Sequence, residues 1–280
     1  MSPYGVSIRG SRRPLRGFVL TTCLGLAVAS AALSARAGET PKAADPEFRL
    51  LVLGGHTVRW NVPAAGLPAT ITYAFLTEPA SFPGARNCDA MLAPDAALKR
   101  SHVSLEDFRR EVRAAFSQWE QAANIVFKEV SSAHDAGILI GADAKSRGRA
   151  FTNVALHQGL ARAEVKSGPD SIRQSLICLN PDQPWKIGFD GNLNVYDLRF
   201  TVTHEIGHAI GLDHPSPEGQ LMSFRYVEKS RTLQPGDVAG AVALYGRKGM
   251  DAPAMPAKAP SPSPAPSGDR AFGLGANESR

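Results

Sequence analysis

The sequence predicts a single α+β domain, built on a mixed β-sheet and spanning roughly residues 48–249. Its predicted elements follow the order strand, helix, several strands, helix, helix. Apolar residues recur at helical spacing in the longest of these segments and form short strand-like runs between the helices. Hydrophobic residues make up 43% of the 280-residue chain and charged residues 20%, which is ordinary for a protein with a buried core.

Residues 1–37 are predicted to be a signal peptide. An arginine-rich start precedes an apolar run over about residues 18–33, and Ala35-Arg36-Ala37 supplies small residues for cleavage. The run is short for a membrane span, so an uncleaved anchor is the weaker alternative. Residues 38–47 are predicted to be a flexible segment. We therefore expect a secreted protein, periplasmic or extracellular, with no membrane span after cleavage.

The net charge of +5 comes from the leader. Residues 1–37 hold five arginines and no acidic residue, so 26 of the 31 basic residues remain after cleavage, against 26 acidic ones. A neutral mature chain gives no support for a nucleic-acid partner.

The first elements of the domain are a strand and a long helix. Residues 69–76 have the composition of a strand, and Ser104 with Asp107 forms a capping box. The helix that follows carries one apolar stripe, made of Phe108, Val112, Phe116 and Trp119.

Short strands and two further helices complete the domain. The strands are predicted at residues 125–130, 137–142, 149–154 and 175–179. A second helix begins near Asn194 or Asp197 and ends at Gly211. A third begins at Pro235 and ends at Gly246. Residues 250–280 are rich in Pro, Ala and Ser and are predicted to be a disordered tail.

The histidines of the second helix have the spacing of a metal site. His204 and His208 are four residues apart, so both imidazoles leave the same helix face. Gly211 can adopt the left-handed conformation that ends the helix and brings His214 back toward the metal. Three neutral histidines leave a fourth zinc position for water, which indicates a catalytic site.

Glu205 follows the first histidine directly and lies beside the ion without being required as a ligand. A carboxylate there can take a proton from zinc-bound water and pass it to a leaving amine. Two other interpretations stay open. The histidines could be satisfied by ordinary hydrogen bonds, or the site could bind zinc without catalysis.

From Thr203 onward the sequence resembles the metzincin metalloproteases, and among them the matrixins. Met222, eight residues after the third histidine, matches the Met-turn, and Tyr226 matches the wall of the pocket for the side chain after the cut bond. The resemblance implies a twisted, mainly parallel five-stranded sheet with three helices, in which the Met-turn follows the active-site helix. It also implies one catalytic zinc ion.

Upstream, residues 148–151 resemble the edge strand along which a peptide substrate pairs, which assigns Arg149, Ala150 and Phe151 to substrate binding. Phe224 stands where the family usually has a proline. The second zinc and the calcium sites of vertebrate matrixins have no matching pattern. His157 is the one histidine in that region, and its sequence context favours a solvated loop histidine over a zinc ligand. Calcium could bind through Asp190 or Asp143, but no pattern supports it.

Two cysteines remain after the leader, Cys88 and Cys178. In an oxidising compartment such a pair commonly forms a disulfide, although two free thiols are the alternative. In matrixins a propeptide cysteine keeps the enzyme inactive, but residues 38–57 contain no cysteine. The enzyme would therefore be inhibited before use by another mechanism, or it is exported in the active form. These absences are typical of a reduced, bacterial-type relative.

The sequence therefore predicts a secreted, monomeric zinc-dependent metalloendopeptidase that acts on protein or peptide substrates. The alternative is a secreted zinc-binding adhesion or interaction module with little or no proteolytic activity.

Overall fold

The computed structural model describes residues 47–64, 66–145, 147–157, 170–215, 218–254 and 275–278. The predicted signal peptide and residues 38–46 lie outside this part of the chain, as does most of the predicted tail. The strands are β1 Arg49–Leu50, β2 Val52–Leu53, β3 His56–Arg59, β4 Ala69–Phe75, β5 Ala80–Ser81, β6 Ala90–Leu92, β7 Ile125–Glu129, β8 Ile138–Asp143, β9 Ala150–Leu156, β10 Asp170–Leu179, β11 Trp185–Lys186, β12 Tyr196–Asp197, β13 Leu212–Asp213 and β14 Gly275–Glu278. The α-helices are α1 Asp95–Leu98, α2 Leu105–Ala122, α3 Leu198–Ala209 and α4 Pro235–Tyr245.

Five strands form the body of the main sheet, in the order β7-β4-β8-β10-β9. The first four are parallel to one another, and β9 runs antiparallel to β10. This arrangement confirms the mixed, mainly parallel sheet. Strand β3 adds to one end of β10, and the β5–β6 hairpin adds to β8.

The three long helices begin as the sequence predicted. The Ser104 hydroxyl accepts from the backbone N–H of Asp107 at the start of α2, at 3.0 Å. At the start of α3 the Asp197 carboxylate accepts from Phe200 N, at 2.8 Å. Of the two caps proposed for this helix, Asp197 is therefore the one used. The one-turn helix α1 was not predicted.

The helices α2, α3 and α4 share one hydrophobic core with the main sheet. Trp119 of α2 is fully buried there and donates from Nε1 to the Thr203 carbonyl of α3, at 2.9 Å. A second, smaller cluster contains Cys88 and Cys178. It includes Met91 of the β5–β6 hairpin and Leu176 of β10, so it fixes the insertion before α1 to the sheet.

Short strands near the N-terminus of the domain contact the chain that follows α3. Strand β1 pairs antiparallel with β13, and Arg49 Nε lies 3.1 Å from the Asp213 carboxylate. The N–H of Leu51 donates to the Gly211 carbonyl, at 2.8 Å. The segment before β4, for which no strand was predicted, therefore supports the loop that carries His214.

Strand β14 pairs with the edge of β9 that faces away from β10. The two strands are parallel, with Gly275 opposite Phe151 and Glu278 opposite Val154. The sequence predicted no secondary structure in this tail. Within the described residues, no helix has the length and apolar composition that crossing a membrane requires.

Candidate metal and active site

Gly211 makes the turn that the sequence assigned to it. Its φ is +105°, and a Cβ atom there would overlap the Val58 carbonyl oxygen of β3. Both the left-handed backbone and the close approach of β3 therefore require glycine. The chain leaves α3 at this point, passes through β13 and reaches His214.

Side-chain donors satisfy the last carbonyl groups of α3, which have no partner within the helix. The Ala209 carbonyl accepts from Trp60 Nε1 at 2.9 Å and from the Ser175 hydroxyl at 3.1 Å. The Ile210 carbonyl accepts from the Tyr245 hydroxyl, at 2.6 Å. The end of the helix is thus fixed by the residue that follows β3, by β10 and by α4.

The three predicted histidines converge through their Nε2 atoms. Nε2 of His204 lies 3.1 Å from that of His208 and 3.0 Å from that of His214, and the third pair is 3.3 Å apart. Nδ1 of His204 lies 2.9 Å from the Leu221 carbonyl oxygen, and Nδ1 of His208 lies 2.8 Å from that of Leu212. A carbonyl only accepts, so Nδ1 carries the proton and Nε2 presents its lone pair.

This donor set fits zinc. Three nitrogens bound tetrahedrally at about 2.0–2.1 Å would lie about 3.3 Å apart, close to the separations found here. Burial, followed by the neighbouring histidines, lowers the pKa of His204 and His214 well below the usual value, which keeps both imidazoles neutral. Neutral imidazole is the form that binds a metal.

No other group of three or more metal-binding side chains occurs among the described residues. His157, the one histidine considered for a second zinc site, lines a cavity of about 360 Å³ formed by Ser81, Phe82, Arg173 and other residues. Asp190, which was considered for calcium, is ion-paired with Lys186.

Glu205 is fully buried next to the first histidine. One of its oxygens, Oε2, accepts from the Thr152 hydroxyl at 2.7 Å, while Oε1 has no partner among the described residues. Burial raises the pKa of this carboxyl to about 8, and the Thr152 hydrogen bond acts in the opposite direction. A buried carboxylate oxygen with a free lone pair is suited to accept a proton.

The Met-turn is held by a residue that the sequence did not single out for this role. The backbone N–H groups of Leu221 and Met222 donate to the two carboxylate oxygens of Asp237, at 2.8 and 2.9 Å. Met222 is buried and packs against Gly207 of α3, where a Cβ atom would overlap its sulfur.

Tyr226 is held in place by both its ring and its hydroxyl group. Its ring packs edge-on against Phe200 and Tyr196, with centroids 5.0 and 4.9 Å apart. Its hydroxyl accepts from Asp197 N at 3.0 Å and donates to Glu228 at 2.8 Å. Phe224, which replaces the expected proline, is 41% exposed.

Four charged side chains connect α2, α3 and the chain after the Met-turn. Glu111, which is buried, accepts two bonds from Arg199, at 2.8 and 3.0 Å, and one from Arg231, at 2.8 Å. Arg231 also donates to Asp197, at 3.0 Å. No sequence motif marked this network, because its members are far apart in the chain.

The predicted edge-strand residues take different positions. Ala150 and Phe151 begin β9, whereas Arg149 immediately precedes it. Ala150 belongs to the core shared with α3, and Phe151 packs against the cluster beneath the β5–β6 hairpin. Cys88 and Cys178 are joined in a disulfide in that same cluster, with Cα atoms 6.2 Å apart.

A sequence model of the matrixin family matches residues 96–246, which is more than half of the chain. The chain belongs to the matrixin family. Matrixins are zinc-dependent metalloendopeptidases, and the histidines described above lie within the matched region. The family assignment therefore agrees with the geometry of the three imidazoles.

Individual matrixins are similar to this chain at moderate identity. Metalloendoproteinase 1-MMP of Arabidopsis thaliana is 34% identical over 153 residues, which are 53% of this chain and 40% of that protein. Matrilysin of Mus musculus is 30% identical over 140 residues, covering 49% and 50%. Karilysin of Tannerella forsythia is 25% identical over 146 residues, covering 52% and 30%. The chain thus spans at most half the length of these relatives.

Proposed function

We propose that the protein is a secreted zinc-dependent endopeptidase. The observation that carries the proposal is the convergence of three Nε2 lone pairs beside the unpartnered Oε1 of Glu205. His204, His208 and His214 would hold the zinc ion. Secretion is supported by the signal-peptide pattern of residues 1–37.

Zinc bound there would acidify a water molecule and polarise the scissile carbonyl. Glu205 would take the proton of that water on Oε1 and later deliver it to the leaving amine. The hydroxyl of Thr152 holds the other oxygen and so fixes the carboxylate plane. Met222 would support the metal ligands from below, because its side chain is buried against α3.

The substrate would lie along β9, which has one edge paired with β10. The side chain after the cut bond would enter beside Tyr226. In the structure, β14 occupies the other edge of β9, which is the edge that a substrate would pair with. A peptide that pairs with β9 must therefore displace residues 275–278.

The proposal is tested with casein, an unfolded protein substrate. We expect the purified mature protein to cleave it, a chelator to stop cleavage, and added zinc to restore it. The matched control is Glu205→Ala, which should keep zinc and lose turnover. Equal cleavage by both proteins would contradict the mechanism. Zinc retained without turnover on a broad peptide library would instead indicate a zinc-binding interaction module.

A further inference from the structure

Arg149 is held rigidly at the entrance to β9. The side chain of Asn180 donates from Nδ2 to the Gly148 carbonyl, at 2.6 Å. The backbone N–H of Asn180 donates to the Arg149 carbonyl, at 2.8 Å. Gly148 has a φ of +55°, and a Cβ atom there would overlap the ring of Phe151. Two hydrogen bonds from Asn180 and the close contact of Gly148 with Phe151 therefore fix the backbone around Arg149.

The guanidinium group of Arg149 lies against the aromatic wall of the site. Its central carbon is 4.1 Å from the centre of the Tyr196 ring. Tyr196 in turn packs edge-on against Tyr226, with centroids 4.9 Å apart. The cation therefore lies on the ring that packs against Tyr226.

This cation has no carboxylate partner within the described part of the chain. The two acidic residues that bond to the Tyr226 hydroxyl already have cationic partners: Asp197 is paired with Arg231, and Glu228 with Lys186. Arg149 is half-buried, and burial lowers its pKa. An aromatic face compensates a desolvated cation only in part, so the guanidinium still favours an anion.

We propose that Arg149 binds a substrate carboxylate within the first three residues after the scissile bond, and so directs cleavage toward acidic sequences. This inference rests on the proposed function, because it places the substrate along β9 and beside Tyr226. A planar guanidinium with free N–H groups suits bidentate recognition of a carboxylate. Two sources share that chemistry, an Asp or Glu side chain and the C-terminal carboxylate of a short product.

The test uses peptides built on a sequence that the enzyme cleaves in casein. Each peptide carries a C-terminal amide and has Glu, Gln or Lys at one of the three positions after the cut bond. A second set ends in a free carboxylate after the third of these positions. We expect kcat/KM for the best Glu peptide to exceed that of its Gln partner about tenfold. In Arg149→Gln the ratio should fall to about one.

Arg149→Glu should reverse the preference, with the Lys peptide becoming the better substrate. Arg173→Gln is the matched control, since Arg173 is an exposed arginine on β10, and it should keep the Glu preference. If the ratio of Glu to Gln is the same in the wild type and Arg149→Gln, the inference is wrong. If only the free-carboxylate set depends on Arg149, the group recognised is the chain terminus.

Binding to the inactive Glu205→Ala variant, measured by fluorescence anisotropy, gives the same ratios without turnover. Failure of this inference and failure of the proposed function are therefore distinguishable. Cleavage that needs zinc and Glu205 but ignores Arg149 removes only the inference. Absence of any zinc-dependent cleavage by the wild type removes the proposed function.

Discussion

Thr152 is the one hydrogen-bond partner of the Glu205 carboxylate among the described residues. Because this bond lowers the pKa of Glu205, the change Thr152→Val should raise that pKa further. Glu205 must be ionised to act as a base, so the acidic limb of the kcat/KM profile should move to higher pH, by about one unit.

Thr152→Ser keeps the hydroxyl and should leave the limb where it is in the wild type. A structural defect alone would lower kcat/KM at every pH without moving the limb. An unmoved limb in Thr152→Val would mean that Thr152 does not tune the base.

The buried histidines should make the zinc-free protein sensitive to acid. Their pKa values are lowered in the folded state, so the unfolded chain binds more protons as the pH falls through about 6.5. The free energy of unfolding should therefore decrease, by up to about 4 kcal/mol per pH unit from these three groups. Urea unfolding between pH 7.5 and pH 5.5 measures it, and a shallower decrease in His214→Asn supports the assignment.

Sequence spacing was sufficient to predict that the three histidines converge with Glu205 beside the first of them, because these residues lie within eleven consecutive positions of one helix and its turn. Thr152, Asp237 and Arg149 could not be assigned their roles in this way. Thr152 is 53 residues from Glu205, and the sheet brings the two together. Asp237, in the first turn of α4, is 15 residues from Met222 in the sequence.

At the scale of the element, the end of α3 is fixed by Gly211. Gly211→Ala would introduce both a strained backbone and an overlap with the Val58 carbonyl. Gly188→Ala is a matched control, because Gly188 has a φ of +95° with nothing within 4 Å of the added atom. We expect the control to cost about 1 kcal/mol of stability and Gly211→Ala at least about 2 kcal/mol more.

Gly211→Ala should also weaken zinc binding, because the turn that brings His214 to the other ligands would move. Chemical unfolding and zinc titration measure the two effects. Equal losses of stability in both variants would show that backbone strain alone, and not the contact with β3, makes glycine necessary.

Helix boundaries followed from the sequence because capping is a local property. Ser104, Asp197 and Pro235 each begin a helix at the expected place. The two-residue strands β1, β2 and β5 were not predicted, since such segments are too short to show an alternating pattern. They exist through partners elsewhere in the chain, as β1 does through β13.

At the scale of the whole molecule, the disulfide closes a long loop and holds the β5–β6 insertion to the sheet. Cys88 and Cys178 are 90 residues apart in sequence. The double variant Cys88→Ala, Cys178→Ala should lose about 2–4 kcal/mol of stability. The apolar residues of α3, the helix that carries His204 and His208, belong to the other hydrophobic core, so zinc binding should persist. Thermal unfolding with and without a reductant measures the loss, and only the wild type should respond to the reductant.

The C-terminal segment is predicted to limit access to β9. A chain ending at Ala254 lacks β14 and leaves that edge free. Its kcat/KM for a peptide substrate should exceed that of the full mature chain by several-fold, through a lower KM. Identical KM values for the two chains would mean that β14 does not compete with the substrate.

The order of elements along the chain predicted the α+β class, but not the order of strands within the sheet. That order depends on pairings such as β4 with β7 and β8 with β10, which are non-local. The resemblance to the matrixins supplied the five-stranded, mainly parallel arrangement. The β5–β6 insertion and the β14 pairing lay outside the resemblance.

The central claim is that Glu205 acts as the base beside a zinc ion held by three histidines. It is tested most directly by comparing kcat/KM for the wild type and Glu205→Gln on one peptide, with the bound zinc of both proteins quantified. We predict one zinc ion per chain in each protein and a loss of at least about 100-fold in the variant. Equal rates at equal zinc content, or a wild type that binds no zinc, would contradict the account.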